Sequence, residues 1–338
     1  MTDLGSPPFG LHPLHGVHEP TTGNPPRRPR SARRTTSIDM TRDESSLDPV
    51  YLNGRARDLW TAADGTATEL GTATLSATIE LIARVVRHVE VTPSVAATSR
   101  LAGAPAMSGF RAAADKAAPE LRQARDLRYT LLDDVPVATL ISGHALSASN
   151  LLGDVTKSGY LPVADQCAGF ASDGPLLTSL KDGGTVTPTG PETPDLDHGD
   201  DTWAWHQVAA LPRYAMRRRR RIDAYEESAG RVGIDAMFRD TYVRGDGVET
   251  IIHEYTLVAV VDAETGVIVE SQATPRVLPW GECPGAVASA QRVAGMTLQE
   301  LHFRVRQELS GTSTCTHLND LLRSVADAEA LIARVREA

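Results

Sequence analysis

Two stretches of this chain repeat each other at a fixed separation. An Arg-Asp pair, a turn glycine and a Thr-Pro pair each recur 182 residues later (240 − 58 = 182). The matches are Arg57-Asp58 with Arg239-Asp240, Gly65 with Gly247, and Thr92-Pro93 with Thr274-Pro275. Between them apolar residues alternate in both stretches, which is the period of a half-buried strand. The sequence therefore predicts an α+β fold of two tandem repeats, each a three-stranded antiparallel meander followed by helices.

The repeats divide the chain into four segments. Residues 1–32 are rich in proline and arginine and lack periodicity, which indicates a disordered arm. Residues 33–150 are predicted to be a structural first repeat, and residues 151–215, rich in glycine, proline and aspartate, a linker. Residues 216–338 form the second repeat. Either the two repeats pair within a monomer as a pseudo-dimer, or the chain forms a homo-oligomer.

Strand and helix patterns support this division. Alternation and turn residues predict strands near 50–60, 67–80 and 83–91, and again near 231–243, 248–262 and 266–273. Proline is tolerated at the first position of a helix, so one helix should begin at Pro284. Another should begin near residues 314–316.

Composition argues against several classes of protein. The net charge of −9 predicts that the chain as a whole repels nucleic acid and anionic membranes. The sequence has no apolar run long enough to span a bilayer, and no apolar segment typical of a secretory signal follows the N-terminus. An odd and small number of cysteines, three, fits a reducing compartment. A cytoplasmic protein is therefore expected.

Arginine is clustered in two places despite this acidic balance. Such runs can bind phosphate, but no aromatic side chains are interleaved with them. The sequence favours solvated side chains, or pairing with the acidic stretch between the repeats. The clusters are Arg27, Arg28, Arg30, Arg33 and Arg34 in the first, and Arg217 to Arg221 in the second.

Two further groups of polar residues are weak candidates for metal binding. Three histidines in the arm would share one edge of an extended polyproline-like chain, although an incidental cluster is favoured. An acidic group in the linker matches no calcium-loop spacing. These groups are His12, His15 and His18, and Asp195, Asp197, His198, Asp200 and Asp201.

The second repeat alone carries cysteines and histidines suited to chemistry. If Pro284 is the first residue of a helix, Cys283 is its N-cap, where free N–H groups and the helix dipole favour a thiolate. Cys315 lies at the start of another helix, and His317 follows two residues later. His253 lies near the start of the central strand of the meander.

These four residues are the predicted metal ligands. Two thiolates and two imidazoles, from His253, Cys283, Cys315 and His317, suit zinc or an iron–sulfur cluster. The first repeat has Gly71 at the position of His253. Cys167, in the linker, has no obvious partner and is interpreted as a bystander thiol. The leading functional hypothesis is a metal-binding accessory, carrier or sensor protein.

Two alternatives from other classes stay open. In the first, Cys283 or Cys315 is the nucleophile of a cysteine-dependent enzyme and His317 or His253 is its base. In the second, the chain is a metal-free interaction module. There the basic run Arg217 to Arg221 and the linker recruit a protein partner.

Four phrases carry a resemblance over nearly the whole chain. They are Arg33-Arg34-Thr-Thr-Ser-Ile-Asp-Met40, Gly54-Arg-Ala-Arg-Asp58, the Arg-rich run into Ile222-Asp223, and Gly311-Thr-Ser-Thr-Cys-Thr-His-Leu-Asn-Asp-Leu-Leu322. They resemble an uncharacterised bacterial family, domain of unknown function 2889. The resemblance implies no activity.

A second resemblance covers about the last hundred residues. The run from His253 through Asp262, the turn at Gly266, Cys283 before Ala286-Val-Ala-Ser-Ala290, and Gly295-Met-Thr-Leu-Gln-Glu300 is similar in order to the iron–sulfur cluster scaffold proteins. The resemblance implies a three-stranded meander followed by helices. By position it implies that His253, Cys283, and Cys315 with His317 are the ligands. Histidine stands where that family has its first cysteine, and Tyr255 stands where it usually has an acidic residue.

Overall fold

All strands of the described residues belong to one antiparallel sheet of eight strands. The structure is a computed structural model and describes residues 15–149, 151, 163–181, 187–196 and 201–337. His12, Asp197, His198 and Asp200 lie outside the described residues. The strands are β1 (Ser31–Thr41), β2 (Val50–Thr61), β3 (Ala67–Glu80), β4 (Val85–Thr92), β5 (Met216–Ser228), β6 (Arg231–Val243), β7 (Glu249–Asp262) and β8 (Ile268–Val277).

The order of the strands is β4-β3-β2-β1-β5-β6-β7-β8. Each half of the sheet is therefore a four-stranded meander, and β1 pairs with β5 to join the halves. The expectation of three strands in each repeat is wrong, because the arginine-rich segments that form β1 and β5 are strands as well. The α+β class is confirmed.

The two meanders share local geometry at the separation of 182 residues. β-Bulges interrupt the pairing at Asp58/Leu59 and at Asp240/Thr241. The tight turns after β2 and β6 also match, because Gly65 N–H donates to Ala62 O and Gly247 N–H donates to Arg244 O, both glycines having positive φ. Glycine adopts that conformation at little cost.

Helices cover one face of the sheet, here called the helix face. The α-helices are α1 (Phe110–Ala117), α2 (Pro119–Gln123), α3 (Leu127–Ala148), α4 (Pro175–Lys181), α5 (Leu301–Glu308), α6 (Thr316–Ser324) and α7 (Ala328–Arg336). Asp126 caps α3 by accepting a hydrogen bond from Arg128 N–H, and Arg42 donates to the carbonyl of Ala145 near the other end. The more tightly wound 3₁₀ helices span Ala96–Leu101, Ala168–Phe170, Cys283–Val293 and Val325–Asp327. Among the described residues, no helix combines the length and hydrophobicity needed to cross a bilayer.

The opposite face of the central strands is covered by extended segments. The expectation of a disordered arm is wrong for residues 15–30, because this stretch hydrogen-bonds to the free edge of β8. Gly16 N–H donates to Leu278 O and Glu19 N–H donates to Arg276 O. On the same face, the two ring nitrogens of His206 form hydrogen bonds with the hydroxyls of Thr35 and Ser37 on β1.

The arginine run of β5 is buried in the centre of the sheet, so the prediction of a solvated or partner-recruiting patch is wrong. Arg218 and Arg220 point to the helix face, and Arg217 and Arg221 point to the opposite face, because side chains alternate along a strand. Each of the four pairs with aspartates. Arg27, which contacts Asp201 at 2.8 Å, pairs with the acidic stretch in the way expected.

Candidate metal centre

Two imidazoles and one carboxylate meet on the helix face of the second meander. Asp240 of β6 and His253 of β7 are cross-strand partners, and His317 lies in the first turn of α6. One potential ligand atom from each of the three lies within 4.8 Å of the other two. Across the described residues, no other set of three His, Cys, Asp or Glu side chains meets this distance.

The two imidazole rings stack on each other. Their centroids lie 3.7 Å apart and their planes are inclined by 21°. His253 Nδ1 lies 3.5 Å from an Asp240 carboxylate oxygen, which is too long for a good hydrogen bond. His253 Nδ1 and His317 Nε2 are both buried without a hydrogen-bond partner. Two unsatisfied nitrogens side by side are costly unless a ligand completes them.

Burial keeps the imidazole of His317 neutral. Desolvation, followed by the neighbouring His253, lowers the pKa of His317 to about 3, so the ring carries no charge at neutral pH. His144, near the end of α3, behaves in the same way, because desolvation and then His253 lower its pKa to about 3. Its ring packs edge-on against Tyr242 at 5.0 Å. The neutral imidazole is the form that binds metal ions.

Asp240 is held in place by a buried guanidinium. Arg218 Nη1 donates to both carboxylate oxygens, at 2.8 and 3.0 Å. Burial alone would raise the pKa of Asp240, but Arg218 and then His253 outweigh burial and keep that pKa below its ordinary value. Arg218 also donates to Asp320 at 2.7 Å. An outer hydrogen bond of this kind fixes the orientation of a potential ligand.

The first meander has the same Arg-Asp arrangement without the imidazoles. Arg34 donates to both oxygens of Asp58, at 2.8 and 2.7 Å. The cross-strand partner of Asp58 is Gly71, as the partner of Asp240 is His253. Sequence reasoning missed Asp240 as a candidate ligand. The repeated Arg-Asp motif was the signal that could have identified it.

The structure brings two of the four predicted ligands together, because no cysteine of the described residues belongs to the cluster of His253 and His317. Cys283 and Cys315 lie instead beside the buried ring of Tyr255, together with Cys167. Tyr255 follows His253 by two residues and so faces the same side of β7. The thiols therefore occupy the neighbouring position along the strand. Cys167 therefore lies near two other thiols, which its position in the linker sequence did not indicate.

Neither predicted thiolate is favoured. Cys283 is the first residue of a 3₁₀ helix with Glu282 at the N-cap, and Cys315 caps α6 without a side-chain hydrogen bond. Only 6% of Cys283 and 5% of Cys315 is exposed. Burial raises the pKa of Cys315 to about 11 and that of Cys283 well above its ordinary value. Desolvation outweighs the helix terminus, so burial disfavours the thiolate form of both cysteines.

Comparison with known proteins places part of the chain in a family context. Residues 216–331 match the family model described as "Protein of unknown function (DUF2889)". The match includes all three residues of the imidazole–carboxylate cluster, but it stops short of the resemblance expected over nearly the whole chain. The resemblance to iron–sulfur cluster scaffold proteins finds no support here.

Other comparisons add little. No curated protein matches the chain. A solved structure, "Crystal structure of lipopolysaccharide binding protein", is 8% identical and is aligned over 92% of this chain and 79% of its own, with a TM-score of 0.14. A TM-score that low carries no argument about fold or function.

Proposed function

We propose that this protein binds a single divalent transition-metal ion through Asp240, His253 and His317. The observation that carries the proposal is the pair of buried, unpartnered imidazole nitrogens beside a carboxylate. Two imidazoles and one carboxylate suit zinc or ferrous iron and leave coordination positions open. Cysteine thiolates hold iron–sulfur clusters, so this ligand set favours a single ion.

Ion binding at this set requires one ring to turn. A nitrogen lone pair lies in the plane of its imidazole, and two stacked planes inclined by 21° do not meet at one ion. The His253 side chain is 12% exposed and lies on a strand next to a bulge, so it is the ring with room to rotate. Asp240 is held by Arg218 and would stay in place.

The role that fits is that of a carrier, sensor or accessory protein in the cytoplasm, exchanging its ion with an unidentified protein partner. In this proposal the meanders are tandem repeats with different tasks. The first keeps the Arg34–Asp58 pair as a structural element, and the second adds His253 and His317 to the corresponding Arg218–Asp240 pair. The shared bulges and turns support this division.

Replacing either histidine is expected to abolish most of the metal affinity. His253→Ala and His317→Ala each remove one ligand and should weaken binding of Zn²⁺ by about 100-fold or more, since even outer-shell changes cost about 10–100-fold. The measurement is competition with a chromophoric chelator on metal-free protein near neutral pH.

A matched pair of variants tests the carboxylate. Asp240→Asn should weaken binding, whereas Asp58→Asn, at the equivalent position without imidazoles, should leave it unchanged. All samples carry Cys167→Ser, so that thiols do not provide a competing site for Zn²⁺. The proposal would be overturned if the folded parent protein held Zn²⁺ no more tightly than the two histidine variants. Equal losses in the two asparagine variants would also count against it.

A further inference from the structure

We propose that Cys167, Cys283 and Cys315 form a second ligand site, composed of thiols alone, that binds a thiophilic metal ion of the zinc class. These are all the cysteines in the chain. They come from three separate segments, a turn of the linker and the starts of two helical segments. The site lies next to the imidazole centre but shares no residue with it.

Backbone contacts bring the three segments together. Ala168 N–H donates to Thr314 O at 2.9 Å, which ties the turn carrying Cys167 to the residue before Cys315. The same turn lies directly on Cys283. A Cβ atom at Gly169 would stand 2.8 Å from the Cys283 sulfur, so a larger residue there would push the turn away from that sulfur. Glycine is therefore needed for this close approach.

A buried hydroxyl lies beside the thiols. Tyr255 is fully buried, and its hydroxyl lies next to the Cys315 thiol without the geometry of a good hydrogen bond. Cys283 and Cys167 are further neighbours of this hydroxyl. A neutral thiol is a weak acceptor, whereas a metal-bound thiolate is a charged one. Ion binding would therefore give the Tyr255 hydroxyl a stronger acceptor at Cys315.

Backbone amides are already placed to support thiolates. The N–H groups of His317 and Leu318 lie against the Cys315 sulfur, and those of Gly169 and Phe170 lie against the Cys167 sulfur. Amides around sulfur are the environment in which proteins hold metal thiolates. Each thiol that coordinates the ion releases its proton to solvent.

Soft sulfur ligands select zinc and similar ions. The three sulfur atoms do not all lie within 4.8 Å of one another among the described residues, so the ion must draw them together. Cys167 is the least buried of the three and lies on a short turn beside a 3₁₀ helix of three residues. Movement of that turn toward Cys315 would close the site.

Cobalt(II) distinguishes this site from the imidazole centre in one titration. Thiolate ligands give Co²⁺ a sulfur-to-metal charge-transfer band in the near ultraviolet, which imidazole and carboxylate ligands do not give. Metal-free, reduced, full-length protein titrated anaerobically should develop this band. The band should disappear in Cys315→Ser and Cys167→Ser and persist in the double variant His253→Ala, His317→Ala.

Two controls keep the result decisive. Cys167 is the least buried cysteine, so Cys167→Ser is expected to fold even if Cys315→Ser does not; circular dichroism checks both. A wild-type protein without the band, or a band that survives in folded Cys167→Ser, would overturn the thiol site. The imidazole centre is tested by the visible bands of Co²⁺, which should be lost only in the histidine variants. The proposal for one site can therefore be disproved without affecting the proposal for the other.

Discussion

Arg218→Met is expected to destabilise the protein by about 3–5 kcal/mol, because it leaves buried carboxylates without their cation. Arg218 is 1% exposed, and it pairs with Asp240 at 2.8 Å and with Asp320 at 2.7 Å. Its guanidinium also lies 4.5 Å from the ring centroid of Phe238. Methionine fills a similar volume but offers no donor. Equilibrium unfolding in urea near pH 7 measures the loss.

A surface pair provides the matched comparison. Arg231 pairs with Asp262 at 2.9 Å, but both side chains are partly exposed, so Arg231→Met should cost less than about 1 kcal/mol. The double variant Arg218→Met, Asp240→Asn should be less destabilised than Arg218→Met alone, because one of the uncompensated charges is gone. If Arg218→Met costs no more than Arg231→Met, the central ion pairs do not hold the sheet together.

Stability is expected to fall steeply as the pH drops from about 6.5 toward 4. Burial is the leading cause that lowers the pKa of four histidines, to about 3 for His144, His206 and His317 and to about 4 for His302. In the unfolded chain these groups titrate near 6.5. Below that pH the unfolded state binds more protons than the folded state, so protonation favours unfolding.

Four such groups give a slope of at most about 5.5 kcal/mol per pH unit, from about 1.4 kcal/mol for each proton. Two carboxyls act in the opposite direction. Burial raises the pKa of Asp134 to about 6 and raises the pKa of Glu254 above its ordinary value, so their protonation stabilises the folded state as the pH falls. Two protons against four leave the histidines dominant.

Urea unfolding of metal-free protein between pH 7 and 5 tests this expectation. His302→Phe removes one buried titrating group that is not a proposed ligand and should reduce the slope by about one proton. His88→Asn is the control, since the side chain of His88 is 61% exposed. A stability that stays level from pH 7 to 5 in the wild type would contradict the expectation.

Most of the strands could be predicted from the sequence, but the centre of the sheet could not. Alternating apolar residues identify β2, β3, β6 and β7, because each of these strands presents an apolar face to a core. Strands β1 and β5 lack that signal, since they bury arginines on both faces. A run such as Arg217 to Arg221 is typical of a solvated surface unless carboxylates from distant segments meet it, and a single sequence does not reveal those partners.

The candidate site was predicted in part for a similar reason. His253 and His317 were identified by residue type and are brought together, with their ring centroids 3.7 Å apart. Asp240 was overlooked because aspartate is common, and its role depends on the register of β6 with β7. The thiols were wrongly assigned to the same site because residue type does not tell which position along β7 faces Cys283 and Cys315.

The ion pairs at the centre of the sheet connect the two halves of the chain. Arg33 with Asp223, Asp39 with Arg217, and Asp134 with Arg220 each join a residue before the linker to one after it. A substitution that removes the charge at one of these positions leaves its partner in the other half uncompensated. A change of charge in one half therefore needs a matching change in the other half. A gene fragment encoding either half alone would inherit buried charges without their counterparts.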